Sequence, residues 1–183
     1  MKNSWGKPTI LVADLDATTF EWKKIPTPAD GTTQLSTTAG DKTEALIEGG
    51  AVEDVKYAKN KYSLQYNIRA LKGRKKPIQD NDGVVTHNYA VLLQPEDASC
   101  SGFLIQLSAV SVENTFTSAD GKAWLFKHDA LQLEDETNQV KDGVATITYG
   151  TDGAISKVTF SPDDSEKTYD ITGTEQLTKE ATA

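Results

Sequence analysis

The sequence predicts an all-β protein: an antiparallel β-sandwich or barrel with extended loops, at most one short helix, and a C-terminal β-hairpin. Three observations carry that prediction. Tyr62, Leu64, Tyr66, Ile68 and Ala70 alternate with Ser63, Gln65, Asn67 and Arg69, a period-two run rich in aromatic and β-branched residues that makes a half-buried strand. Short apolar segments recur between Gly, Pro, Asn and Asp turn signals, giving about nine to eleven strands at roughly 8–12-residue spacing. Helical periodicity sustained over about eleven residues or more is found nowhere.

In chain order, Thr9–Leu15 is the first strand, and Phe20-Glu21-Trp22 is an apolar patch able to pair with it. Two prolines and an Asp-Gly make Lys23–Thr33 a loop, after which Gln34–Thr38 resumes a strand and Ala39-Gly40-Asp41 turns. The stretch Leu35–Leu71 splits into two strands around Gly49-Gly50. Adjacent glycines weaken a strand interior and mark a bulge, a sharp bend or a close backbone approach. Lys72–Gly83 is polar and turn-rich, a loop or a short helix between loops. Val84–Leu93 is a strand with Val85, Tyr89, Val91 and Leu93 on one face. In Phe103–Phe116 the period slips: Phe103, Ile105 and Leu107 share one parity, Val110, Val112 and Phe116 the other, so a bulge or a change of face is expected near Ser108-Ala109. Ala119–Lys122 is a turn that sets Ala123–His128 antiparallel to the strand before it. Gly143–Tyr149 and Ala154–Phe160 form a hairpin to which Tyr169–Thr172 adds a short strand.

Composition narrows the function. A chain of 183 residues buries a substantial core without staples, and its 37% hydrophobic and 25% charged residues are those of a folded globular domain. A net charge of −8 opposes generic affinity for nucleic acid or anionic membrane, both of which need a basic footprint. The single cysteine, Cys100, excludes an intrachain disulfide and a cysteine-rich metal site. Lys2 and Lys7 precede an apolar run that Asp14 and Asp16 interrupt, too short for a signal peptide, and no stretch approaches the roughly 18 apolar residues of a membrane span. Synthesis and folding in a cytoplasm are expected.

A search for catalytic constellations yields no specific signal, so no enzyme, cofactor or metal is expected. His87 and His128 are far apart in sequence with no HxH or HxxxH spacing, and read most simply as two partly exposed strand histidines. Asp80-Asn81-Asp82-Gly83 begins like a calcium loop but lacks the later glutamate. Ser99-Cys100-Ser101-Gly102 is not a nucleophile elbow. The one dense basic cluster, Arg69, Lys72, Arg74, Lys75 and Lys76, is either a solvated loop tip or a surface complementary to the acidic remainder of a neighbouring copy.

The order of segments resembles the major tail tube proteins of long-tailed bacteriophages and prophages. The segments are KPTILVADL (7–15), GDKTEALIEGGAVEDVKY (40–57), YSLQYNI (62–68), DNDGVV (80–85), the Pro95-Glu96-Asp97 loop, GFLI (102–105), and SVENTFTSADGKAW (111–124) before DAL (129–131). The resemblance covers roughly residues 1–133. It implies a β-sandwich subunit (1–138) with a C-terminal hairpin and tail (139–183) as an elaboration. It further implies homo-hexameric rings that close their sheets into an inner barrel, head-to-tail stacking, and contacts with other tail proteins such as the tape measure and terminator. The place of action would be the virion, after synthesis in a bacterial host. An acidic lumen repels phosphate, so DNA would pass through without being specifically bound. The same architecture occurs in type VI secretion tubes.

On that resemblance Ser63, Gln65 and Asn67 are the candidate lumen-facing residues, with the exposed face of Val84–Leu93 as the other choice. Pro26–Thr43 is the candidate ring-stacking loop, with Thr27, Asp30, Gly31, Arg74, Lys75 and Lys76 as candidate intersubunit residues. Two other classes compete. A carbohydrate- or protein-binding β-sandwich would use Trp5, Trp22 and Trp124 for stacking, though ordinary core burial also explains each. A hydrolase would need a cleft with coupled carboxylates, and the sequence names no such pair.

Overall fold

A computed structural model gives the fold and describes residues 3–133 and 138–173. Among them are twelve strands and no helix. In order they are β1 (Thr9–Asp14), β2 (Trp22–Lys24), β3 (Gln34–Thr38), β4 (Lys42–Leu46), β5 (Val52–Tyr57) and β6 (Lys61–Arg69). There follow β7 (Val84–Gln94), β8 (Gly102–Thr117), β9 (Gly121–Ala130), β10 (Val140–Tyr149), β11 (Ile155–Pro162) and β12 (Tyr169–Asp170). Every pairing between them is antiparallel.

Ten strands form one branched sheet, and β4 and β5 form a separate pair. The branch is at β8. One of its edges pairs with β7; on the other, Gly102–Ile105 pairs with β10 and Ser108–Thr117 pairs with β9. The slip of period read from the sequence lies at this branch. Ser108 and Ile105 face Tyr89 and Val91, so β8 spends one residue more than β7 between two rungs. That extra residue is a bulge, and it carries both Ile105 and Val110 into the same core despite their opposite parity.

Two cores result. Ile10 and Val12 of β1, Val91 and Leu93 of β7, Leu64, Tyr66 and Ile68 of β6 and Phe126 of β9 pack together. Since β1 and β6 are not sheet neighbours, the sheet must curl until its inner face meets itself. The loop residues Ile25 and Ile78 plug this core. On the opposite face of β1, β7 and β8, Leu11, Ala90, Leu92 and Leu104 pack under Ala145, Val158, Phe160 and Ile171. The C-terminal meander β10–β12 thus roofs the outer face, and the Trp22 Nε1–H donates to the Ile171 carbonyl at 2.6 Å. Strands buried on both sides read as continuous apolar runs, here Ile10–Ala13 and Ala90–Leu93. Each such Leu, Ile or Phe contributes roughly 1.5–3 kcal/mol of burial free energy.

Candidate functional site

The least buried part of the fold is also its most unusual. β3 and β6 form a ladder from Gln34↔Gln65 to Thr38↔Lys61, and beyond it the same two chain segments continue as β4 and β5, from Lys42↔Tyr57 to Leu46↔Val52. Ala39-Gly40-Asp41, expected to turn the chain, instead joins β3 to β4. At this joint the Ala58 N–H donates to the Asp41 carbonyl at 2.8 Å. A Cβ on Gly40 would lie 2.0 Å from the Ala58 oxygen, so the two legs cross here too closely for a side chain. Gly49 and Gly50, at φ 96° and 81°, form the tip. The result is a projecting two-stranded arm, residues 42–57.

The arm has two unlike faces. Register places Tyr57, Val55, Val52 and Leu46 on one face, beside the Lys42–Glu44 ion pair. Thr43, Lys56, Ala45 and Asp54 occupy the other. The apolar face is open to solvent, with Leu46 61%, Val52 51% and Tyr57 69% exposed. Four carboxylates, Glu44, Glu48, Glu53 and Asp54, stand against two lysines, so the arm is acidic as well as apolar.

At the other end of β6 lies the basic cluster. The Arg74 N–H donates to the Leu71 carbonyl at 3.0 Å and its Nη1 to the Arg69 carbonyl at 3.0 Å, a turn that leaves Lys72 and Lys75 exposed. The Ala70 N–H donates to the Lys122 carbonyl at 2.9 Å, bringing the β8–β9 turn alongside. Exposed Leu71 and Phe116 sit among these cations. Lys76 departs from expectation. It is paired with Asp80, which also accepts from the Gly83 N–H, and the Lys76 hydrogen bond holds the Asp80 carboxyl below the usual carboxylate range. That pair closes the 76–83 loop over Ile78, so Lys76 is internally tied while Arg74 and Lys75 stay at the surface.

The remaining expected residues fall in two places. Ser63, Gln65 and Asn67 do lie on the outward face of β6, opposite core residues Leu64, Tyr66 and Ile68, but they are half-buried. Gln65 Nε2 donates to Gln34 Oε1 at 3.4 Å, whereas Ser63 Oγ and Asn67 Oδ1 are shielded from solvent with no hydrogen-bond partner among the described residues. Pro26–Thr43 is not one loop. Its irregular parts are 26–33 and the joint 39–41, and the first is stitched to β6 through the Ala29 N–H on the Asn67 carbonyl (2.8 Å) and the Asn67 N–H on Thr32 Oγ1 (3.2 Å). Gln34–Thr38 is β3 and Lys42-Thr43 begins the arm. Thr27, Asp30 and Gly31 line a cleft of about 850 Å³ with Trp5, Leu35 and Phe103.

The two histidines differ in environment. His128, expected at a partly exposed position, is fully buried, and burial lowers its pKa to about 3. One neutral tautomer satisfies it: Tyr66 Oη donates to Nε2 at 2.9 Å, and Nδ1–H faces Ser108 Oγ at 3.4 Å, which donates onward to the Tyr89 carbonyl at 2.8 Å. Burial pushes the Tyr66 hydroxyl far above its ordinary range. Ser, His and Tyr stand in line, yet all three are sealed in the core and no substrate reaches them. His87 is at the surface, 2.7 Å from Asp14 Oδ2, a hydrogen bond that raises its pKa. Trp22 and Trp124 are core residues, whereas Trp5 is 79% exposed at the cleft. Among the described residues no three His, Cys, Asp or Glu side chains converge as a metal site. No helix there is long and apolar enough to cross a membrane.

Strands on either side of Gly49-Gly50 are what the sequence leads one to expect; their pairing apart from the main sheet, with an exposed apolar face, is not. Thr43–Leu46 and Val52–Tyr57 flank a di-glycine at hairpin spacing. Comparison with protein-family models and with curated proteins finds no match.

Proposed function

We propose that this chain is a self-assembling structural subunit, one that stacks into a hollow tube of the kind built by bacteriophage tails. The observation that carries the reading is the arm. A two-stranded ribbon is marginally stable in water by itself, and its apolar face finds no cover among the described residues. A second support is the free edge of β3, whose outer side pairs with no strand among the described residues and offers a place for a neighbouring sheet to continue. Hexameric rings closed through such edges would put the small polar residues of the outer β6 face, Ser63, Gln65 and Asn67, toward a lumen. The net charge of −8 suits a conduit through which DNA slides without sticking. Tape-measure and terminator proteins would be its companions, and a virion tail its location.

Negative-stain electron microscopy over a concentration series, with light scattering on the same samples, tests the proposal. Rings or hollow tubes with sixfold end views support it; a monomer at every concentration refutes it. The cleft beside Trp5 favours one alternative, a carbohydrate- or protein-binding module without catalytic activity. An indole stacked on a ligand there would change its fluorescence on titration with glycans or peptides.

A further inference from the structure

The acidic arm and the basic end lie at opposite ends of β6, and we infer that the arm of one copy seats on the basic end of the next. This rests on the self-assembly reading and names the two surfaces that would mate.

Three features of the molecule match. In charge, the arm carries Glu44, Glu48, Glu53 and Asp54, and the far end presents Lys72, Arg74, Lys75 and Lys122. At that end Asp120 stands beside Arg69 at 3.8 Å, Lys76 is tied to Asp80 and Arg74 is held on the Arg69 carbonyl, which leaves Lys72, Lys75 and Lys122 exposed. In an otherwise acidic chain this is the densest group of cations in the sequence, and so the natural partner for an acidic arm. In apolar surface, exposed Leu71 and Phe116 supply cover for the Leu46–Val52 face of the arm. In geometry, the nine residues of β6 separate the two surfaces by about 30 Å, so the arm cannot fold back on its own basic end. A contact between two different surfaces is heterologous and propagates head to tail, with each copy offering one arm and one seat.

Charge reversal at each surface separates this inference from the broader reading. Glu48→Lys/Glu53→Lys/Asp54→Lys on the arm, or Lys72→Glu/Lys75→Glu/Lys122→Glu on the seat, should each weaken association in sedimentation at least tenfold. Mixed together, the two variants should co-assemble in alternation, because the intact arm of one meets the intact seat of the other and the reversed arm meets the reversed seat. Both sets in one chain should restore assembly. As a check independent of those variants, a Cys100→Ser/Glu48→Cys/Lys75→Cys chain should form disulfide-linked ladders between copies. If the wild type associates and both reversals associate equally well without ladders, the arm-to-seat contact is overturned while self-assembly stands. If the wild type is monomeric at every concentration, both fall.

Discussion

Strands β5 and β6 follow one another in the chain and draw on similar residues, Val52, Val55 and Tyr57 in one, Tyr62, Leu64, Tyr66 and Ile68 in the other. Their environments are opposite. In β6 the apolar side chains point into a core closed by β1, β7, β8 and β9, and Leu64, Tyr66 and Ile68 are fully buried. In β5 the apolar side chains lie toward solvent, with Val52 and Tyr57 exposed and Val55 half-buried, because among the described strands β4 alone pairs with it. Period-two patterning therefore specifies a strand and its apolar face, but not whether that face is covered within the same molecule. A covered face sustains the fold; an uncovered one is available to another molecule.

The contrast is sharpest under truncation. Phe126→Ala, in the covered core, should cost about 3–5 kcal/mol of stability in urea unfolding, through lost burial and an unfilled cavity. Leu46→Ala on the arm should change the monomer's unfolding by less than about 0.5 kcal/mol while reducing association. Equal losses at both sites would erase the distinction.

Acid offers a second probe of the core. Unfolded His128 takes up a proton below its ordinary pKa of 6.5, whereas the folded ring stays neutral down to about 3. The unfolded state thus binds the extra proton between those values, and folding stability falls with pH there by up to about 1.4 kcal/mol per unit. His87 works in the opposite direction. Its raised pKa gives stability that is present below pH 6.5 and lost as pH rises through the folded value. Urea unfolding at stepped pH, with His128→Gln beside the wild type, should show a shallower acid slope in the variant.

A smaller effect is expected where arm and barrel meet. Gly40→Ala forces a Cβ against the Ala58 carbonyl and should loosen the joint by about 1–3 kcal/mol. Hydrogen exchange should register faster opening across 42–57 and unchanged protection in β6–β9. Faster exchange in the barrel as well would mean that arm and barrel open together.

Most of the architecture was legible in the residues. Tyr62–Ala70 declared its strand and its buried face, and the parity change around Ser108 announced the bulge at which β8 leaves one partner for another. His128 shares parity with Trp124 and Phe126, which would have placed it in the core; its polarity argued for the surface, and the hydrogen bonds that satisfy it come from residues distant in sequence. The continuous runs Ile10–Ala13 and Ala90–Leu93 carried the mark of strands covered on both faces, although what covers them is set by β10–β12, far along the chain. The candidate site was less legible. Lys76 looked like its basic neighbours until its pairing with Asp80 separated it from them. The arm depends on which strands fail to meet it, a property of the whole topology rather than of residues 42–57.

Hydrogen exchange of the arm amides, measured at low and at high protein concentration, tests most directly whether the arm is covered only by another copy. The expected result is rapid exchange across 42–57 in the dilute monomer and strong protection in the assembled sample, with β6–β9 protected alike in both. Equal exchange of the arm in monomer and assembly would contradict it.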